Sequence, residues 1–214
     1  RLLESPSSDL LSGKFYNALN QNVQGLRKYF KDCESLNSVP NGNFLKIYCA
    51  QLVKYIKTKY ENSHEQNNEY DDCSLLNYWI FGKLSRVIPN NSSISSNNIC
   101  DPIFEIYKQD DWYERKEFYD YCVDYKTLLD TANSYDSSCE VYYKYIESKI
   151  PIYEHIKKLC TSENAEKCPN FYAQFKDYDP KLLLSNLKCH KTMLEKEPAL
   201  ENVMATQAIV TSLK

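Results

Sequence analysis

Nine cysteines, Cys33, Cys49, Cys73, Cys100, Cys122, Cys139, Cys160, Cys168 and Cys189, are dispersed along this chain without one CxxC pair. Zinc requires clustered thiolates with a matching second pair, and no such spacing occurs. The nearest neighbours, Cys160 and Cys168, hold seven residues between them, which suits a disulfide closing a small loop. Dispersed cysteines in a chain without a catalytic signature predict long-range staples, the mark of a secreted or surface domain in an oxidising compartment. Eight paired cysteines admit on the order of a hundred connectivities, so only the Cys160–Cys168 bridge is predicted here. The odd count leaves one thiol over, or bonded outside this stretch.

Only four glycines occur, too few for Gly-rich phosphate loops or for a barrel full of tight turns. The apolar residues instead recur at the helix period of about 3.6. Leu45, Cys49, Leu52 and Ile56 form a stripe over 44–61, widened by Phe44, Tyr48 and Tyr55. Leu76, Trp79, Ile80, Leu84 and Val87 form another that ends at Pro89. Asp101-Pro102 reads as an N-cap with Pro in the first turn. It opens a long segment reaching about residue 131, with Phe118, Cys122, Tyr125 and Leu129 on one stripe and Trp112, Tyr119 and Val123 on another.

After a loop at 133–138, Val141, Tyr145, Ile152, Ile156 and Leu159 keep helical spacing across Pro151, which should kink or split the helix. A short helix carries Phe171, Phe175 and Tyr178. Asp179-Pro180 caps a last one striped by Leu183, Leu187, His190 and Leu194 and closed at Glu197-Pro198. Near the start, Leu10, Phe15, Leu19, Leu26 and Tyr29 give one broken helix or two short ones. The stretches 61–72 and 89–99 are polar enough to be exposed loops. The expectation is an all-α, disulfide-bonded bundle of roughly seven to nine helices. Residues 1–196 form one helical ectodomain and 197–214 a tail, partly disordered or a loosely docked helix.

Chemistry finds little purchase. The histidines are His64 in a polar loop, His155 on a helix and His190 beside Cys189. Adjacent helical side chains diverge by about 100°, so Cys189 and His190 make a poor nucleophile–base pair. Asp71-Asp72 and Asp110-Asp111 lie in polar stretches and read as helix-start charges. No catalytic residue, cofactor or metal site is expected. The net charge of −3 argues against nucleic acid. Lys54, Lys57 and Lys59 cluster beside tyrosines and read as a solvated face rather than an anion site. Sequons at Asn90 and Asn91 stand where surface glycosylation would occur, in a run where chance also supplies them. The abundance of tyrosine, 19 in all, and of asparagine fits an AT-rich coding bias as well as an adhesive surface. There is no signal-peptide core and no apolar run of about 18 residues to span a bilayer. The chain is therefore expected to behave as a soluble ectodomain excised from a longer parent.

The stretch CSLLNYWIFGKL at 73–84 resembles the Cys-x-x-Leu-Asn-Tyr-Trp segment of the Plasmodium interspersed repeat (PIR) superfamily, most closely its Vir branch from Plasmodium vivax and related primate parasites. LLESPSSDLLSGKFYNALN is similar to that family's start. YEHIKKLC, CPNFYAQF and YDPKLLLSNLKC are similar to its C-terminal cysteine segments. The likeness runs from about residue 3 to 190, with variable loops between the matched motifs. It implies a clonally variant, non-enzymatic surface antigen of infected red cells, on the cell surface or in exported parasite membranes, with roles in host-cell adhesion and immune evasion. The implied partners are host antibodies and a host cell-surface receptor of unknown identity. Membrane attachment is implied only through a transmembrane segment of a longer parent. The alternative is an exported structural or trafficking partner inside the red cell. Trp112 and Tyr113, two aromatics among charges, are the candidate receptor contact. The rival reading packs Trp112 against a neighbouring helix.

Overall fold

The computed structural model describes residues 6–62, 70–85, 109–134, 136–161 and 165–196. Outside them lie the loop at 89–99 with its Asn90 and Asn91 sequons, most of the loop at 61–72 with His64, Cys100, the Asp101-Pro102 cap, Glu197-Pro198 and the tail 197–214. Among the described residues the chain is all-α, without a strand. Its helices are α1 Leu11–Gln21, α2 Gly42–Asn62, α3 Asp72–Leu84, α4 Trp112–Ser134, α5 Asp136–Glu147, α6 Ile150–Thr161, α7 Tyr172–Phe175 and α8 Pro180–Ser185. Tighter 3-10 turns occupy Pro6–Asp9, Leu26–Ser38 and Ala165–Lys167, and residues 190–196 are helical as well. No described helix is long and apolar enough to cross a membrane. Two compact units, Arg1–Val123 and Asp124–Lys214, divide within α4.

In the first unit, the α2 stripe does what its spacing predicts. Ile56 joins Leu19, Leu76 and Trp79 in one apolar cluster, with Phe15, Tyr48, Leu52 and Tyr55 against it. Each large side chain there contributes about 1.5–3 kcal/mol on burial. Trp79 keeps its polar edge satisfied by donating from Nε1 to Asn20 Oδ1 at 3.0 Å, as a buried indole requires. A second cluster joins Leu26, Tyr29 and Cys33 to Ala50 of α2, and the Cys33–Cys49 disulfide fastens it. Gly25 takes the left-handed conformation (φ 67°) that turns the chain into the Leu26–Ser38 segment. Gly42 starts α2 so close to Leu36 that a Cβ would lie 1.9 Å from its carbonyl oxygen. Phe44, expected on the stripe, is 64% exposed. Adjacent helical side chains diverge by about 100°, so burying Leu45 of the same turn directs Phe44 outward.

In the second unit, Tyr142, Tyr143 and Ile146 of α5, Tyr153 and Ile156 of α6, and Leu183 and Leu184 of α8 are buried. Pro151 splits the helix as expected, but the break precedes it. α5 ends at Glu147, and Pro151 is the second residue of α6, where its missing N–H leaves no intrahelical bond unmade.

Two expected boundaries differ. The loop at 133–138 shrinks, because α4 runs to Ser134 and α5 begins at Asp136. Thr127, Thr131 and Ser134 donate their hydroxyls to carbonyls three or four residues back, so each hydroxyl is satisfied within the helix. The single helix expected from 180 is instead broken between α8 and residue 190. Lys188 N donates to Asn133 Oδ1 at 3.0 Å and Cys189 is bonded to Cys139, so long-range partners replace helical ones. Leu194, placed on that stripe, is 49% exposed as a result.

Candidate functional site

The aromatic–charged segment that opens α4 holds Trp112 and Tyr113, the candidate receptor contact. Asp111 precedes the helix and accepts from Arg115 Nε at 2.7 Å, an i,i+4 pair that sets an anion where the helix dipole favours it. Trp112 is half-buried. Its ring meets Phe81 of α3 edge-on, with centroids 4.6 Å apart, an aromatic contact worth about 0.5–1.5 kcal/mol beyond area. Tyr113 is 55% exposed and touches Trp112 edge-on at 5.8 Å. The Glu117 carboxylate one turn away, then partial burial, hold its phenol above the ordinary tyrosine range, with Lys116 opposing. The structure thus separates two residues that the sequence pairs: Trp112 faces α3 and Tyr113 faces outward.

One turn further, Lys116, Asp120 and Tyr16 converge. The Lys116 ammonium lies 4.6 Å from the Tyr16 ring centroid and pairs with Asp120 Oδ2. Tyr16 donates to Asp120 Oδ1 at 2.6 Å. Burial pushes the Asp120 carboxyl upward, while Lys116 and Tyr16 hold it down. A carboxylate clasped by an ammonium and a phenol ties α1 to α4. The Lys116/Asp120 spacing of four is legible in the sequence. Tyr16, 104 residues away, carries no such signal.

Among the described residues, disulfides join Cys33 to Cys49, Cys139 to Cys189 and, as predicted, Cys160 to Cys168. Cys73 is also disulfide-bonded. Cys122 is a buried thiol, 3% exposed. Bonded to Cys139, Cys189 has no thiol to offer His190, whose Nδ1 lies 3.2 Å from the Tyr143 hydroxyl beneath a stacked ring. That neighbourhood is packing, not a nucleophile and its base. Asp71 fulfils the helix-start reading of Asp71-Asp72: its carboxylate accepts from Cys73 N at 3.0 Å and Ser74 N at 3.1 Å as the N-cap of α3.

Residues 10–212 match the family model described as Plasmodium vivax Vir protein. No curated protein and no solved structure matches the chain.

Proposed function

The chain belongs to the Plasmodium vivax Vir protein family, a family of variant surface antigens, and from that premise we propose that it is displayed on the infected red cell. There it serves host-cell adhesion and immune evasion. The family match over residues 10–212 carries the reading. The disulfides support it, because a reducing cytosol would keep such thiols open. A braced interior of Leu19, Leu76, Trp79 and Ile56 suits an antigen whose exterior must vary without unfolding it. Tyr113 is the exposed aromatic offered to a receptor, with Trp112 as its support.

The second reading, an exported structural or trafficking partner within the red cell, leaves the disulfides without an oxidising compartment. Antibodies raised to the folded chain decide between them. Staining of live, unpermeabilised infected cells, abolished by trypsin treatment of the intact cells, is the expected outcome. Staining that requires permeabilisation would transfer the protein to the intracellular reading.

A further inference from the structure

Lys54, Lys57 and Lys59 form one cluster in sequence, but the fold divides them. Lys59 turns to Asp72 of α3 and to the Tyr55 ring. Lys54 and Lys57, one turn apart on α2, turn instead to the chain at 24–32. Lys54 donates to Gln24 O at 2.7 Å, and the Lys57 ammonium lies 5.9 Å from the Tyr29 ring centroid. Lys28, from the segment itself, stands 4.9 Å from the same centroid. Residues three apart eclipse in a 3-10 turn, so Lys31 extends the ridge that Lys28 begins. Tyr29 is buried beneath them, 8% exposed.

The local charge is lopsided. Residues 10–60 carry eight basic and two acidic side chains, in a chain whose net charge is −3. Of the two acids, Asp32 meets Lys57 at 3.0 Å in an exposed pair, which contributes little and yields readily to a competing anion. Glu34 is exposed two residues on. No described acid pairs with Lys28 or Lys31. The Cys33–Cys49 disulfide fixes the segment on α2, so the backbone positions that carry these lysines are held relative to one another.

We propose that Lys28 and Lys57, which share the Tyr29 ring, form with Lys31 and Lys54, one turn along their respective segments, a binding site for a sulfated polysaccharide. A polymer of regularly spaced sulfates engages several ammonium groups at once through charge-assisted hydrogen bonds, and clustered lysines are the usual electrostatic footprint of such polyanions. An anionic lipid surface would also attract the ridge. Anionic headgroups, however, belong to the cytoplasmic leaflet, whereas the disulfide that builds the ridge belongs to an oxidising compartment. The choice of glycan over lipid rests on the surface reading given above.

The test uses heparin as probe and the full chain. Lys28→Gln/Lys31→Gln/Lys57→Gln is compared with Lys158→Gln/Lys176→Gln/Lys191→Gln, which removes equal charge from exposed positions of the second unit. The expected result is retention of the wild type on heparin to higher salt than on a sulfonate resin. The ridge variant should bind immobilised heparin on the order of tenfold more weakly, with the control variant and the melting temperatures unchanged. Should the ridge variant fold poorly, heparin must shield Lys28, Lys31, Lys54 and Lys57 of the wild type from acetylation. Equal losses in both variants, or equal retention on the two resins, would reduce the ridge to a solvated face and overturn the proposal. Binding to phosphatidylserine vesicles without heparin binding would overturn it in favour of a lipid surface. Live-cell staining separates the two readings: surface staining without heparin binding removes this site alone, and heparin binding by an intracellular protein removes the surface reading alone.

Discussion

Tyr119 and Asp71 exchange two hydrogen bonds across 48 residues: the phenol donates to Asp71 O at 2.9 Å and accepts from Asp71 N at 3.1 Å. One hydroxyl therefore satisfies both backbone groups of the residue whose side chain caps α3. The cap is fixed twice, once by its own carboxylate and once from α4.

Tyr119→Phe keeps the ring and removes only that hydroxyl. The Asp71 N–H loses its partner, while Asp71 O still accepts from Ser74 N at 3.1 Å, so the variant should be destabilised by about 1–2 kcal/mol. Urea denaturation read by circular dichroism measures it. A loss within error would mean that water replaces the phenol without cost and that α3 is positioned by its apolar face alone.

The same phenol predicts a pH dependence. Burial, the largest influence, raises the Tyr119 pKa to about 12, against an ordinary value of 10.0. The folded state then holds a proton that the unfolded state releases. Its contribution is complete below the unfolded pKa and is lost as pH rises from 10 towards 12. Tyr119→Phe lacks this titration, so the gap in urea midpoint between wild type and variant should narrow across that window. A constant gap would show that Tyr119 ionises as readily in the fold as outside it.

The helices were legible because apolar residues such as Leu45, Ile56, Leu76 and Trp79 repeat at one period, and a period is a local property. Asp71 and Asp179 announced their caps for the same reason, each lying beside the N–H groups it serves. What sequence could not reveal is pairing at a distance. Nothing near Asn133 shows that it will accept from Lys188, and nothing near Tyr16 points to Asp120. The loop expected at 133–138 and the unbroken helix expected from 180 both failed where such pairings override propensity. Sequence alone read Lys54 and Lys57 as a solvated face, because Lys28 and Lys57 reach the same Tyr29 ring only when the Leu26–Ser38 segment folds onto α2.

The three resolved disulfides should rank by the loops they close. Their sequence separations are 50 for Cys139–Cys189, 16 for Cys33–Cys49 and 8 for Cys160–Cys168. Chain entropy alone then gives about 4, about 3 and about 2.5 kcal/mol respectively. Paired Cys→Ser replacement of each bridge, followed by urea denaturation, tests the order. Non-reducing peptide mapping comes first, and a mostly reduced protein would refute the staple argument together with the surface assignment.

Trp112 and Tyr113 should separate cleanly as single variants. Trp112→Ala removes the ring that meets Phe81 and leaves space between α4 and α3. A half-buried indole should cost about 1–3 kcal/mol, the range below that for fully buried tryptophans. Tyr113→Ala removes an exposed ring and should change stability by no more than about 0.5 kcal/mol. If this face contacts a receptor, Tyr113→Ala abolishes red-cell or receptor binding at an unchanged melting temperature, whereas Trp112→Ala weakens binding only as far as it loosens the helix beneath. Binding untouched by Tyr113→Ala would leave the pair a structural contact and move the search for the adhesive surface elsewhere.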